Sequence, residues 1–513
     1  MSQVPLLQVV PPGLAEEISS HLSQTLTVLL AYLVVLGVIS YLASNRYTGE
    51  LSDYVTASRN LGWVVSTLTI LATIWSGVAL AGFPGSVFVL GGSFISSVMI
   101  GLSVSAPLLW YFGRRIWILG KEHDFNTPGD LLGGYYQSDT VRLYTVIASL
   151  VFNVAYTVAQ LLAGGIVMNV LSGGILPVEL GMVIIALVVL IHITTTGIRG
   201  IAWLDTFNGI LIFCVLAAFV VFITRNAGGV MGVFAGLGDQ QAAHITLPGP
   251  LGIFSPLQTI AFGTIFVLGT CVVSPAVWVR MHALRGKQQL LRVTVTYLVV
   301  MTFVHVFGTY FIGTYGRVIF PDIENPDFIS SVLAFEFLPF VLASLFLVMI
   351  LSAVISTTDS YLHILAVTVV RDLIRVIFVP DMDPSRELKL NYLVIMLAAG
   401  LGVVLAILYP GFITPLAVMA GGLTMQLLPL LFGAVAWPRA STEAAIIAPA
   451  AGILVLVGIR FNLFSDPFSS PLLPGLVASL LVNCLVFVLI SFVTKPQPLE
   501  RIEAFHGVLH KKL

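Results

Sequence analysis

The stretch Leu351-Ser352-Ala353-Val354-Ile355-Ser356-Thr357-Thr358-Asp359-Ser360 sets a packed group of hydroxyls and one carboxylate into the middle of an apolar run from about 338 to 370. Ala353, Ser356, Thr357 and Ser360 stand at i, i+3, i+4 and i+7, so a helix presents them on one face. Oxygens grouped in this way can replace part of the hydration shell of a small hard cation, which favours oxygen ligands. Ser and Thr in membrane helices also cap their own backbone or hold a neighbouring helix, and both readings stand at this point. An acid within such a run marks a functional site by default.

A second polar stripe, Asn153, Tyr156, Thr157 and Gln160, repeats the same spacing in another apolar run. Four polar groups on one face suit a wet cavity, with interhelical hydrogen bonding as the alternative. Asp205 follows Trp203 near the Arg199 end of its run, where an acid is either interfacial or guards a cation path. Thr424 and Gln426 lie mid-run, and His192, His305 and His363 are single histidines in separate runs. Their spacing does not suggest a metal site. No phosphate-binding Gly-x-x-x-x-Gly-Lys loop, His-Glu-x-x-His, Gly-x-Ser-x-Gly or Cys-x-x-Cys occurs, so the residues point away from catalysis and from ATP-driven work.

The elements that must carry these residues are membrane helices. The chain of 513 residues is 58% hydrophobic and 9% charged, whereas soluble domains run at about 25% charged. A net charge of −1 leaves no basic field for nucleic acid. Cys214, Cys271 and Cys484 sit in apolar runs and read as small hydrophobes. Glu16 and Glu17 stand where the basic region of a signal peptide is expected. The apolar runs predict an all-α polytopic protein with about thirteen spans. With the N-terminus outside and the C-terminus cytoplasmic, every Lys and Arg except Arg225, Arg317 and Arg460 falls on the inside, Arg280 among them as a loop residue.

Two of the runs look broken. The run 62–90 contains Ser76-Gly77 and Gly82-Phe83-Pro84-Gly85, and the run 254–279 contains Gly263, Gly269 and Pro275. Pro removes a donor and Gly weakens a helix, so backbone groups are freed at membrane depth, where they persist only if they line a cavity or bind something. The two broken runs open two sets of five spans, 62–224 and 254–437, with 25–44 before them and 443–494 after them. That pattern points to an inverted-repeat transporter.

Four segments, taken together, resemble the sodium/solute symporter family, which includes sodium/glucose, proline and pantothenate symporters. They are Gly82-Phe83-Pro84-Gly85-Ser86-Val87-Phe88; Asn126-Thr127-Pro128-Gly129-Asp130-Leu131-Leu132-Gly133-Gly134-Tyr135-Tyr136; Thr196-Gly197-Ile198-Arg199-Gly200-Ile201-Ala202-Trp203-Leu204-Asp205; and Ser352 to Ser360. The resemblance runs from about 25 to 495. It implies a leucine-transporter-like five-plus-five inverted repeat and a sodium (Na+) site between the broken second span and the ninth. Ser356 and Thr357 would supply hydroxyls, and Ala353, Ala72 and Trp75 carbonyls. Asp205 would lie further inward, matching the acid that family members use on the inward sodium release path or in a second sodium site. The solute pocket would be near Thr73, Trp75, Ser76, Tyr156, Gln160, Ser274 and Gln426. Proline-transporting members carry an acid where this chain has Ile74, and Trp75 is bulkier than the usual residue there. The segment Gly316 to Asp322 is nearest to pantothenate-type members.

The expected function is therefore sodium-coupled symport of a small neutral or monocarboxylate solute (pantothenate-like, amino acid or sugar) across the plasma membrane. The lipid bilayer is the expected surround, and no obligatory protein partner is evident. Proton coupling through Asp359 and His363, which stand i, i+4, is one alternative. The other is a sensor on the same fold, disfavoured by the short stretch after the last apolar run and its lack of a kinase or linker domain.

Overall fold

A computed structural model describes residues 12–47, 50–238, 241–409, 413–468, 472 and 474–513. Its apolar helices, in chain order, begin with α1 (Leu22–Ser44), the bent pair α2 (Trp63–Ile74) and α3 (Val78–Leu90), α4 (Gly92–His123), α5 (Asp139–Leu171) and α6 (Val178–Asn226). They continue with the bent pair α7 (Pro256–Val272) and α8 (Pro275–Ala283), then α9 (Gln289–Ile319), α10 (Phe340–Phe378) and α11 (Pro384–Leu408). The last are α12 (Ile413–Thr424), α13 (Leu428–Ala436), α14 (Thr442–Arg460) and α15 (Leu476–Val493).

Helix starts follow local chemistry. The Ser138 side chain accepts from the Val141 amide at the start of α5, and Asp383 does the same for α11 ahead of Pro384. Ser255 and Gln258 form a capping box at α7, with Pro256 in the first turn. Each cap satisfies amides that a helix end leaves free.

Among the described residues, nine single helices and two bent pairs are long and apolar enough to cross a membrane. Two features account for the larger number of expected spans. The runs 176–196 and 202–224 are joined in α6, whose 49 residues would reach about 74 Å if straight, over twice a hydrocarbon core. They are divided at Gly197, where φ is +56° and only glycine is comfortable. The run 412–437 is split by the turn Met425–Leu427 into α12 and α13, neither of which is span-length alone.

The α2/α3 pair bends by 57° and the α7/α8 pair by 47°. Both bends fall in the runs expected to be broken. The second helix of the later pair runs on to Ala283, so Arg280 lies inside a helix and not in a loop. The backbone of Leu61, just ahead of α2, bonds to Ala283 and Arg285, just past α8, at 3.0 Å each. The two bent pairs are thus tied together at one end of the bundle. That end carries ion pairs of Arg59 with Asp124 (3.3 Å), Arg371 with Asp130 (2.8 Å) and Arg142 with Asp372 (3.5 Å).

At the centre stands α10, packed against α5, α6 and α11. Of its most apolar window 78% is buried, against 22% for α1 at the periphery. Every residue from Phe346 to Val367 is buried, so the Ser352–Ser360 stretch faces protein all round.

Candidate functional site: two broken helices against α10

Trp75 ends α2 with ψ at 87°, outside helical space, and the carbonyls of the last turn lose their continuation. α10 presents its hydroxyl face there. Ser356 Oγ lies 3.3 Å from the Ala72 carbonyl oxygen. Thr357 Oγ1 lies 3.2 Å from the same oxygen and 3.5 Å from the carbonyls of Thr73 and Trp75. Two hydroxyls and three carbonyls therefore converge, and Thr73 contributes a carbonyl the sequence had not singled out. Ala353 is buried one turn earlier on the same face. Neutral oxygens of this type are what a small hard cation takes. No cluster of three His, Cys, Asp or Glu suited to a metal occurs among the described residues.

Asp205 was expected further inward and instead touches this group. Its carboxylate accepts from Ser356 Oγ and from Thr69 Oγ1 on α2. It also pairs with Arg280 Nη2 at 3.3 Å. Arg280 is 2% exposed. Its Nε donates to Thr69 Oγ1 at 2.9 Å, Nη1 to the Ala276 carbonyl at 3.2 Å, and Nη2 also to Ser360 Oγ. Treating Arg280 as a loop cation missed this role. The signal was present in Ser274-Pro275: a proline in the first turn starts a new helix, which puts Arg280 in its second turn.

Asp359 and His363 share a face of α10 but not a partner. Asp359 Oδ2 is hydrogen-bonded to His192 Nδ1 on α6, while His363 Nε2 bonds to the Tyr54 carbonyl at 2.9 Å. Helical spacing brought the two residues to one side, and the neighbouring helices then drew them apart.

Between the two breaks is a narrow cavity with about 30 Å³ of room, enough for one or two waters. Ser76 and Tyr156 line it as expected. Thr270, Cys271, Tyr297 and His305 also line it and were not anticipated; Cys271 Sγ lies 3.0 Å from the Tyr297 hydroxyl. The π-helical turns Leu268–Val272 and Val304–Tyr310 carry three of them, and such turns often mark functional sites.

The other expected pocket residues have different settings. Gln160 Oε1 accepts the Gly77 amide at 2.8 Å, and its Nε2 is buried without a partner, as is the Trp75 indole nitrogen. Thr73 Oγ1 turns to the Thr69 carbonyl at 2.7 Å and lies 3.4 Å from Ser360 Oγ. Ser274 stands at the start of α8. Gln426 is engaged elsewhere: its amide bonds to Ser479 (3.2 Å) and Asn483 (2.8 Å) on α15. It is absent from the cavity lining, because the turn Met425–Leu427 directs it toward the C-terminal helix.

Comparison with known proteins bears on the family and the fold. The sodium:solute symporter family model matches residues 54–452. The sodium/pantothenate symporter of Escherichia coli (strain K12) is 28% identical over 462 residues, covering 88% of this chain and 94% of that protein. The high-affinity proline transporter of Bacillus subtilis (strain 168) is 25% identical, covering 86% and 93%. Among solved structures, a Na+-coupled sialic acid symporter in a substrate-bound outward-open state superposes with a TM-score of 0.78 at 16% identity, over 92% of this chain and 98% of that one. The nucleobase-cation-symport-1 transporter Mhp1, closed around bromovinylhydantoin, gives 0.54 at 15% identity, over 88% and 97%. At these identities the likeness carries the fold, the leucine-transporter-like architecture expected from the motifs.

Proposed function

The chain belongs to the sodium:solute symporter family, a family of transporters and not of enzymes, and on that premise we propose that it couples sodium entry to uptake of a small neutral or monocarboxylate organic solute by alternating access. The observation that carries this reading is the convergence of the Ser356 and Thr357 hydroxyls on the carbonyls freed at the α2 break. Sodium is held there by Ser356, Thr357 and the carbonyls of Ala72, Trp75 and Ala353, with Thr73 in reach. The solute binds between the breaks, where Ser76 and Tyr156 face the cavity; Gln160 Nε2 and the Trp75 indole nitrogen, buried without partners outside its present lining, become donors to the solute when the cavity widens. About 30 Å³ cannot hold an organic solute, so entry requires the two bent pairs to move relative to α5 and α10. Residues 62–224 and 254–437 act as the two repeats that rock against each other.

Relatives named for pantothenate and proline make those two compounds the first to try. Ile74 in place of an acid favours the pantothenate-like choice. The arginine-rich end, with Arg59, Arg142 and Arg371, faces the cytoplasm of a plasma-membrane protein, and the N-terminus lies outside.

The test is uptake into proteoliposomes driven by a sodium gradient, with pantothenate, proline and short monocarboxylates as solutes. Choline replaces sodium in one arm, and a pH series runs in another. Uptake that is unchanged in choline and follows pH would make the proton the coupling ion. No flux for any solute would favour the sensor.

A further inference from the structure

We infer that Arg280 is a built-in counter-cation that keeps the Asp205 carboxylate out of the sodium shell and so sets how loosely sodium is held; this rests on the sodium reading above. Arg280 is fully inside the protein, and burying a guanidinium is costly unless its charge is paired and its donors are used. Here they are used on four oxygens from four elements: Asp205 on α6, Thr69 on α2, Ala276 on its own α8 and Ser360 on α10. A guanidinium remains charged in such a setting.

Ser356 links this group to the converging oxygens. A hydroxyl has one proton and two lone pairs. Donation to Asp205 leaves the lone pairs of Ser356 Oγ free to face an ion beside the Ala72 carbonyl. The carboxylate therefore polarises a ligand without becoming one. Its charge is balanced by Arg280, so an ion at Ser356 and Thr357 meets neutral oxygens backed by a neutral pair. Were Arg280 uncharged, the same ion would neutralise a lone buried carboxylate and be held tightly. A transporter has to release its ion on every cycle, and the pair makes that release possible. Arg280 is thus a positioning residue that acts through Asp205 and Ser356.

Equilibrium binding and release of radioactive sodium on the purified full-length protein tests this without a known solute. Arg280→Gln should lower the sodium Kd by about fivefold or more and slow release. Arg280→Lys, which keeps the charge on fewer hydrogen bonds, should shift Kd less. Asp205→Asn leaves the guanidinium unopposed and should raise Kd, and Asp205→Asn with Arg280→Gln should return it toward the wild-type value. A residue that merely supports packing would weaken or leave unchanged sodium binding in Arg280→Gln, and that result overturns the inference. If Arg280→Gln does not fold, an unchanged Kd in Asp205→Asn overturns it equally. The underlying site is checked separately with Ser356→Ala/Thr357→Val. Undiminished sodium binding in that variant removes the sodium reading itself, whereas lost binding there without tightening in Arg280→Gln removes only the role of Arg280.

Discussion

Gln160 Oε1 accepts the Gly77 amide proton across 2.8 Å, so a side chain from α5 satisfies a backbone donor at the α2/α3 bend. Gly77 itself is pressed between helices: a Cβ there would lie 2.7 Å from Val354 Cγ2 and 2.8 Å from Ala163 Cβ. Gln160→Ala leaves the buried amide unpaired and should cost ~1–3 kcal/mol of stability, read as a lower thermal unfolding temperature. Solute affinity should fall more than sodium affinity, because the remaining Nε2 donor is lost as well. Equal losses in both affinities would assign Gln160 to the bend alone.

Removing both side-chain oxygens of the candidate ion site with Ser356→Ala and Thr357→Val keeps the volume nearly constant. The sodium concentration for half-maximal transport should rise at least tenfold, ~1.4 kcal/mol. Reciprocal linkage requires solute affinity to fall only when sodium is present, and the sodium-free baseline should not move. Solute binding titrated with and without sodium measures both.

Asp327 lies between α9 and α10, outside the apolar helices, and accepts the Ile413 amide at the start of α12 at 3.2 Å. Burial pushes its carboxyl up to about 7, against the opposing pull of that amide. The folded protein thus holds the proton more tightly than the unfolded chain. The associated stability is complete below the ordinary carboxyl range near 3.8 and is lost as pH rises through about 7. Asp327→Asn should flatten this part of the pH–stability curve, measured by thermal unfolding across that window. An unchanged slope would place the proton uptake elsewhere.

Phe505 on the last helical segment is fully buried, with its ring 5.0 Å from that of His123 and 5.1 Å from that of Tyr135. Phe505→Ala should release this segment at a local cost of ~3–5 kcal/mol. Faster amide hydrogen exchange over 499–512, with the central helices unchanged, is the expected result.

What the sequence determined by itself was local. Apolar length predicts the spans, Ser76-Gly77 in one run and Gly263, Gly269 and Pro275 in the other predict the breaks, and a period of 3.6 puts Ser356, Thr357 and Ser360 on one seam; each depends on residues within a few turns of one another. Four motifs in order were enough to indicate the family. Partner choice was decided by the tertiary structure. Arg280 reads as a loop cation until α6 brings Asp205 to it, Asp359 meets His192 and not His363, and Gln426 turns to α15. A buried polar group bonds to whatever donor or acceptor a neighbouring helix presents. That depends on the rotation and crossing of helices far apart in the chain, which no local pattern encodes.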